Sequence, residues 1–180
     1  MLDSLLTKAD CAACRLCCKF DSYDLWQTPV IYKSLASRIL QEYSPQIKFV
    51  RRDDYFLMKM ERDELADIYC CPLLDHDNGC IMGDDKPFDC MIWPFMIMEL
   101  SGRKVLTLSP VCPVVNSKRF DDVCLEALKA APEIFKMADK HPELVRPYME
   151  SHPILAVEKS KYKNSVIGQI GICGALPHKQ

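Results

Sequence analysis

The sequence predicts an α+β protein, in which a small antiparallel sheet with flanking helices and irregular loops is held by a cysteine–metal cluster. Three observations predict this class: segments with helical periodicity, two segments typical of β-hairpins, and closely spaced cysteines. The 180 residues include 11 cysteines and are 49% hydrophobic. A chain of this length and composition can bury a core of its own.

The first long helix is expected after Thr28-Pro29, which resembles an N-cap followed by proline in the first helical turn. Ser44-Pro45 is expected to end it. Between these points apolar side chains recur at helical spacing, at Tyr32, Leu35, Ala36, Ile39, Leu40 and Tyr43.

Two antiparallel hairpins are predicted, one over residues 47–60 and one over residues 95–109. Gly102 supplies the backbone freedom that the turn of the second hairpin needs. The intervening segment, residues 70–94, is expected to be an irregular loop. Because a long irregular loop needs a stabilising element, the cysteines within this loop favour a bound metal.

Beyond Pro113 the pattern becomes helical. Pro132 and Pro142 are each expected to start a short helix, and Pro147 to end or kink the last one. One apolar face is formed by Phe120, Val123, Cys124, Ala127, Leu128 and Ala131. On this face Cys124 is interpreted as a small buried hydrophobic residue.

These patterns divide the chain into three parts. Residues 1–115 are predicted to form the cysteine-cluster metal-binding domain, and residues 116–155 a helical extension packed on it. Residues 156–180 are expected to form an irregular C-terminal tail.

The cysteines carry the functional signal. The run Cys11-x-x-Cys14-x-x-Cys17-Cys18 places four thiols within eight residues. Its spacing resembles the three-ligand run of bacterial ferredoxins and suits tetrahedral zinc equally well. With the later cysteines, the predicted metal ligands are Cys11, Cys14, Cys17, Cys18, Cys71, Cys80, Cys90 and Cys112.

Eight sulfurs suffice for two four-sulfur sites, so more than one metal centre is predicted. Because neighbouring side chains tend to diverge, Cys17 and Cys18 are expected to serve different metals, or one of them to bridge two. Cys70 and Cys173 are treated as non-ligands. His76 is interpreted as an exposed loop histidine, with metal ligation as the alternative.

Residues 75–79, Asp-His-Asp-Asn-Gly, resemble the start of an EF-hand loop. Lys86 stands where such a loop needs its bidentate glutamate, so no calcium binding is expected. The segment is interpreted as a polar turn with Asn78-Gly79 at its tip.

The charge balance and the hydrophobicity pattern of the chain limit the classes of partner that we expect it to bind. With Lys+Arg of 23 against Asp+Glu of 25, the chain lacks the basic excess typical of nucleic-acid binding. It shows no signal peptide and no apolar run long enough to span a bilayer, so no membrane partner is expected. A cytoplasmic location, where thiols stay reduced, is predicted.

The ordered motifs resemble one known family. The matching segments are Cys11-Ala12-Ala13-Cys14-Arg15-Leu16-Cys17-Cys18, Cys71-Pro72-Leu73-Leu74, Gly79-Cys80-Ile81-Met82, Pro87-Phe88-Asp89-Cys90-Met91-Ile92-Trp93-Pro94-Phe95 and Cys112-Pro113. They resemble the CxxCxxCC-type zinc- or iron-chelating proteins, the YkgJ-like cysteine-cluster group. The resemblance covers about Cys11 to Pro113 and implies metal binding. Two positions depart from the family pattern: Arg15 replaces a frequent glycine, and Lys86 a frequent arginine.

Two functions of different classes follow. In the first, the cysteines hold an iron–sulfur cluster used for redox or metal-dependent chemistry. In the second, structural zinc stabilises an adaptor module that binds a protein partner. Metal storage or delivery is a third possibility. No paired carboxylates, Ser–His arrangement or phosphate-binding loop stands out to supply chemistry independent of metal.

Overall fold

The computed structural model describes residues 5–21, 28–75 and 77–159, and it confirms the α+β class. The described residues divide into two compact units, Leu6–Trp93 and a second unit that comprises Leu5 and the residues from Pro94 onward. The division thus falls at residues 93/94, whereas the sequence analysis ended the cysteine-cluster domain at residue 115. None of the helices in the described part of the chain is long and apolar enough to cross a membrane.

The first unit is built from short elements. Its helical segments are α1 (Lys8–Cys14), a 3-10 turn (Leu16–Cys18), α2 (Lys33–Arg38), a π-helical turn (Ile39–Tyr43) and α3 (Phe88–Ile92). Its strands are β1 (Lys19–Phe20), β2 (Val30–Ile31), β3 (Phe49–Arg51), β4 (Phe56–Met58), β5 (Glu61–Asp63), β6 (Ile68–Cys70), β7 (Leu74–Asp75) and β8 (Gly79–Cys80). They form the antiparallel arrangements β1–β6–β5, β2–β4–β3 and β7–β8.

One hydrophobic core joins these short elements. It consists of Phe20, Ile31, Ala36, Ile39, Ile47, Met58, Met60, Leu73 and Met82. Cys71 and Cys80 are partly buried and pack against this core. Removal of apolar surface from water therefore stabilises the segments that carry these two cysteines.

The structure confirms the first hairpin and corrects the start of the first long helix. β3 and β4 pair antiparallel within residues 47–60. The helix begins at Lys33, not directly after Thr28-Pro29, because Val30 and Ile31 are fully buried and pair with β4 as a strand. Such β-branched side chains suit a buried sheet better than a first helical turn. The helical segment ends at Ser44, as predicted.

The second unit has one sheet and one long helix. Its elements are β9 (Phe95–Leu100), β10 (Arg103–Leu108), α4 (Pro113–Asn116), α5 (Phe120–Lys140), a 3-10 turn (Pro142–Leu144), β11 (Arg146–Pro147) and β12 (Ile154–Val157). The strand order is β11–β9–β10–β12, with only the β11–β9 pair parallel. β9 and β10 form the predicted hairpin. Ser101 and Gly102 both have positive φ, 51° and 75°, as a two-residue type I′ turn requires.

Helix α5 differs from its prediction in three ways. It runs through Pro132 without a break, at a point where the neighbouring turn, around Leu128, is open to solvent. Water can therefore satisfy the carbonyl that proline leaves without a helical donor. Phe120 and Leu128 are exposed, although both were assigned to the buried face. Cys124 is buried there but is disulfide-bonded, so it is not simply a small hydrophobic residue.

The last described segment is also more regular than predicted. Pro147 lies in β11, and β12 covers residues 154–157 where an irregular tail was expected to begin. Leu155 and Ala156 are buried in this edge strand, which pairs with β10. Residues 160–180, including Cys173, lie outside the described residues.

We expect acid to destabilise the second unit through His152, which is only 7% exposed. Desolvation lowers the pKa of this imidazole below its usual value. Protonation therefore favours the unfolded chain, so stability is retained above about pH 6.5 and falls as the pH drops towards the folded-state pKa. Urea unfolding at several pH values should show that His152→Gln loses less unfolding free energy at acid pH than the unmodified protein. Equal losses of unfolding free energy in the two proteins as the pH falls would contradict this expectation.

Candidate functional site

The first cysteines lie on a capped helix. In α1, the Thr7 hydroxyl accepts a hydrogen bond from the Asp10 amide at 3.1 Å, and the Asp10 carboxylate accepts one from the Thr7 amide at 2.9 Å. This reciprocal capping box stabilises the amino end of a seven-residue helix. Cys11 and Cys14, three residues apart, consequently lie on one helix face, and neither is buried.

A left-handed residue redirects the chain after α1. Arg15 has φ 55° and ψ 7°, and its amide donates to the Cys11 carbonyl at 2.9 Å. Glycine adopts this conformation with least strain. The reversal leads into the 3-10 turn that carries Cys17 and Cys18.

Close packing places α1 beside β8. Gly79 has φ +79°, and a Cβ atom added there would lie 2.9 Å from Cα and 3.1 Å from Cβ of Ala12. Only glycine therefore fits without displacing the helix. Because Ala12 lies between Cys11 and Cys14, and Gly79 precedes Cys80, this contact brings cysteine segments nearly 70 residues apart in sequence together.

The turn that precedes Gly79 is the predicted polar turn. The Asp75 carboxylate accepts hydrogen bonds from the amides of Asp77 and Asn78 at 2.9 and 2.7 Å, and from the Asn78 side chain at 3.0 Å. It thereby closes the β7–β8 hairpin and aligns Cys80 opposite Leu74. His76 lies outside the described residues.

Cys71 is joined to the 3-10 turn by the backbone. Its amide donates to the Cys18 carbonyl at 2.9 Å, which extends the pairing of β1 with β6. Its thiol donates to the thioether of the buried Met58 at 3.8 Å. Cys70, the last residue of β6, is also half-buried, and its charge contributes to the raised pKa of the Cys71 thiol.

Cys90 lies in the short helix α3, which a carboxylate attaches to the sheet. Asp89 accepts a hydrogen bond from the Val30 amide of β2 at 2.9 Å. Cys90 itself is exposed. Surrounding protein atoms still desolvate its thiol, and this desolvation, with the charges of Cys71 and Asp89, raises its pKa well above the usual value. Because part of the Cys90 surface is exposed, molecules in solution can reach this residue.

Electrostatic interactions show which thiols are neighbours. Cys71 interacts with Cys80, Cys17 and its neighbour Cys70, and Cys90 interacts with Cys71, Cys17 and Cys80. The sulfurs of four residues, from the 3-10 turn, the chain after β6, β8 and α3, thus lie within range of electrostatic interaction with Cys71 or Cys90. We call these four residues, Cys17, Cys71, Cys80 and Cys90, the thiol cluster; none of them forms a disulfide.

The thiols of this cluster favour their protonated form. Desolvation, with the charges of Cys80 and Cys17, raises the pKa of Cys71 to about 12, although the Leu73 backbone amide opposes this. The pKa of Cys17 is raised by a hydrogen bond with the Cys18 side chain and by desolvation, and the Lys86 charge opposes the increase. A cation that binds here must therefore displace protons.

The adjacent pair Cys17–Cys18 differs from expectation. The two side chains hydrogen-bond to each other, so they do not diverge as neighbouring side chains were expected to do. The tight 3-10 turn that contains both residues accounts for this proximity. The assignment of the pair to one metal or to two stays a prediction.

The remaining predicted ligands are placed less closely. Cys11 and Cys14 lie on the helix that packs on β8, while Cys112 is buried in the second unit, at the amino end of α4. Among residues 5–21, 28–75 and 77–159, no group of three or more Cys, His, Asp or Glu side chains has the geometry of a metal site.

Sequence reasoning missed the residues that support the cluster. Met58 and Asp89 were not assigned roles, and Gly79 was assigned only to a turn. Met58 contacts Cys71, Gly79 packs against Ala12 of α1, and Asp89 attaches the helix of Cys90 to β2. Gly79 after Asn78 was a visible turn signal, but its contact with Ala12 depends on a packing partner far away in sequence. Nothing local distinguishes Met58 from other core methionines.

Compared with family models, with curated proteins and with solved structures, the chain gives no match. The family resemblance therefore stays an expectation based on the motifs quoted above.

We expect Gly79→Ala to destabilise the first unit by about 2–4 kcal/mol, from the strain of positive φ and from overpacking against Ala12. Gly83→Ala is the matched control, because Gly83 has φ +56° with no atom within 4 Å of an added Cβ. The control should cost about 1 kcal/mol from backbone strain alone. Urea unfolding measures both, and equal losses would contradict the importance of the α1–β8 contact.

Proposed function

We propose that this chain is a metal-binding protein whose thiol cluster supplies thiolate ligands. The observation that carries the proposal is the electrostatic interaction of Cys71 and Cys90 with each other and with Cys17 and Cys80, which links four separate segments. Buried single cysteines pack as small hydrophobic residues, but that role gives no reason to gather four reduced thiols around one place.

The donor set fits a soft metal. Thiolates bind zinc and iron–sulfur clusters well and are poor ligands for calcium or magnesium. The Leu73 amide acts on Cys71 in the direction that favours a thiolate, which resembles the support that backbone donors give to metal-bound sulfur. Cys18, which hydrogen-bonds to Cys17, is a fifth sulfur at the same place. Cys11 and Cys14 complete the proposed set in the first unit.

An iron–sulfur cluster is the first candidate for the bound group, and it would supply redox or metal-dependent chemistry. The solvent exposure of Cys90 supports this candidate, because electron transfer and substrate binding both need access to the cluster.

Structural zinc in a module that binds a protein partner is the second candidate. It is supported by the packing of Cys71 and Cys80 against the hydrophobic core. A metal bound there would fix loops that have little regular structure of their own. In this case the metal contributes folding energy and takes no part in chemistry.

Anaerobic purification with measurement of iron, zinc and acid-labile sulfide separates the candidates. Matching iron and sulfide with a broad absorption band near about 400 nm would identify an iron–sulfur protein. A colourless protein with stoichiometric zinc would favour the structural module. A well-folded protein that binds neither metal would overturn the proposal.

The adjacent residues Cys70 and Cys71 provide a matched pair of variants. Cys71→Ser should reduce the metal content by at least about half and lower the melting temperature, because a hydroxyl is a poor replacement for thiolate. Cys70→Ser should leave the metal content unchanged, because Cys70 is not among the proposed ligands. Metal analysis and thermal unfolding measure both effects. Full metal content in Cys71→Ser would remove that residue from the ligand set.

A further inference from the structure

Cys124 of α5 forms a disulfide, whereas the other described cysteines do not. Its side chain is 5% exposed, and the remaining nine cysteines of the described residues are free thiols. The sequence has 11 cysteines, so Cys173 is the only one left to pair with Cys124. Cys173 belongs to residues 160–180, outside the described part of the chain.

The path of the chain after β12 permits this pairing. The Lys104 ammonium binds the Glu158 carboxylate at 3.1 Å and also the Asp139 carboxylate of α5. The chain therefore leaves the sheet beside the carboxyl end of α5. Cys124 lies 15 residues before Asp139 in this helix, which corresponds to about 22 Å. The residues from Glu158 to Cys173 can span roughly 50 Å when extended, so they are long enough to reach Cys124.

The helix also offers an apolar surface next to Cys124. Cys124, Leu128 and Pro132 follow one another at four-residue intervals and share one edge of α5, with Leu125 beside them. We call these four residues the α5 edge. Leu125 is 53% and Leu128 41% exposed, and Pro132 is exposed as well. Residues 166–176 contain no charged side chain and a single polar one. Contact between this segment and the α5 edge would remove apolar surface of both from water.

We propose that a disulfide between Cys124 and Cys173 holds the C-terminal segment against the α5 edge. Its formation removes two protons and two electrons from the two thiols, and a low-molecular-weight disulfide is the oxidant. One cysteine attacks this disulfide and releases a first thiol, and the other cysteine then attacks the mixed disulfide and releases a second. The proposal does not depend on metal binding by the thiol cluster, which lies in the other unit.

Peptide mapping of the full chain tests the pairing directly. The monomeric protein is equilibrated with a glutathione buffer that contains the disulfide form, alkylated under denaturing conditions and digested with trypsin. Trypsin cleaves after lysine and arginine, which leaves each of the two cysteines alone in one peptide, residues 120–129 and 164–179. We expect a linked species that is lighter by two hydrogen atoms than the two peptides together and that a phosphine separates. Alkylated, unlinked peptides, or linkage of either one mainly to another cysteine, would overturn the pairing.

Cys173→Ser measures how much the bond stabilises the protein. The variant loses the disulfide, while Cys124 remains a neutral thiol that packs as a small hydrophobic residue. We expect its melting temperature to lie about 10 °C below that of the oxidised protein, and a phosphine to lower the melting temperature of the unmodified protein only. Cys70→Ser, which changes a free cysteine of the other unit, is the control and should respond to the phosphine as the unmodified protein does. Equal melting temperatures of Cys173→Ser and the oxidised protein would overturn the stabilising role.

Hydrogen–deuterium exchange tests the location of the segment. In the oxidised protein the amides of residues 164–179 should be protected, and Cys173→Ser should reduce this protection at least about tenfold. Leu128→Glu places a charge on the α5 edge and should reduce the protection while the disulfide still forms. Glu133→Lys, on another side of the helix, is the control and should leave the protection unchanged. If the disulfide forms but residues 164–179 exchange freely, or if a second copy of the chain protects the α5 edge instead, the docking is overturned.

Discussion

The contact between Ala12 and Gly79 is the constraint on which the arrangement of cysteines in the first unit depends. It sets the distance between α1 and β8 at a value that leaves no room for a Cβ atom. Cys11 and Cys14 flank one side of the contact and Cys80 the other. A side chain at residue 79 would therefore move two cysteine segments at once, in the part of the molecule where thiol spacing matters most.

The other segments of the thiol cluster are attached by single polar contacts next to each cysteine. The amide of Cys71 binds the carbonyl of Cys18, and the carboxylate of Asp89, beside Cys90, binds the amide of Val30. Each contact adds to the burial of neighbouring apolar side chains, Leu73 beside Cys71 and Ile92 beside Cys90, in holding a short segment in place. A thiolate-bound metal would add its own constraint to segments already placed within reach of one another.

Sequence reasoning was most successful where local patterns decide the structure. The hairpins over residues 47–60 and 95–109 follow from strand runs separated by turn signals, and the end of the helical segment at Ser44 follows from the proline after it. It failed where tertiary packing overrides local preference. Pro132 lies inside a continuous helix because solvent reaches the turn before it, and Val30 joins a strand because β4 offers a partner.

The sequence predicted that the candidate site is made of cysteines, but it could not predict which cysteines lie near one another. Cysteine spacing identifies thiols that can share a metal, yet it does not show which thiols of distant segments meet. Cys17, Cys71, Cys80 and Cys90 meet because sheet pairing and the core align their segments. Their position, three of them half-buried and one exposed, has a physical reason if they bind metal. Four thiolates with one divalent cation retain negative charge, and full burial of that charge would destabilise the fold.

The same argument distinguishes Cys112 from the other predicted ligands. It is 4% exposed, in the second unit, and its side chain belongs to the core there. A thiolate at such a position loses nearly all of its hydration, whereas a neutral thiol packs as a small hydrophobic residue. The seven other predicted ligands, by contrast, all lie in the first unit, which contains the Ala12–Gly79 contact.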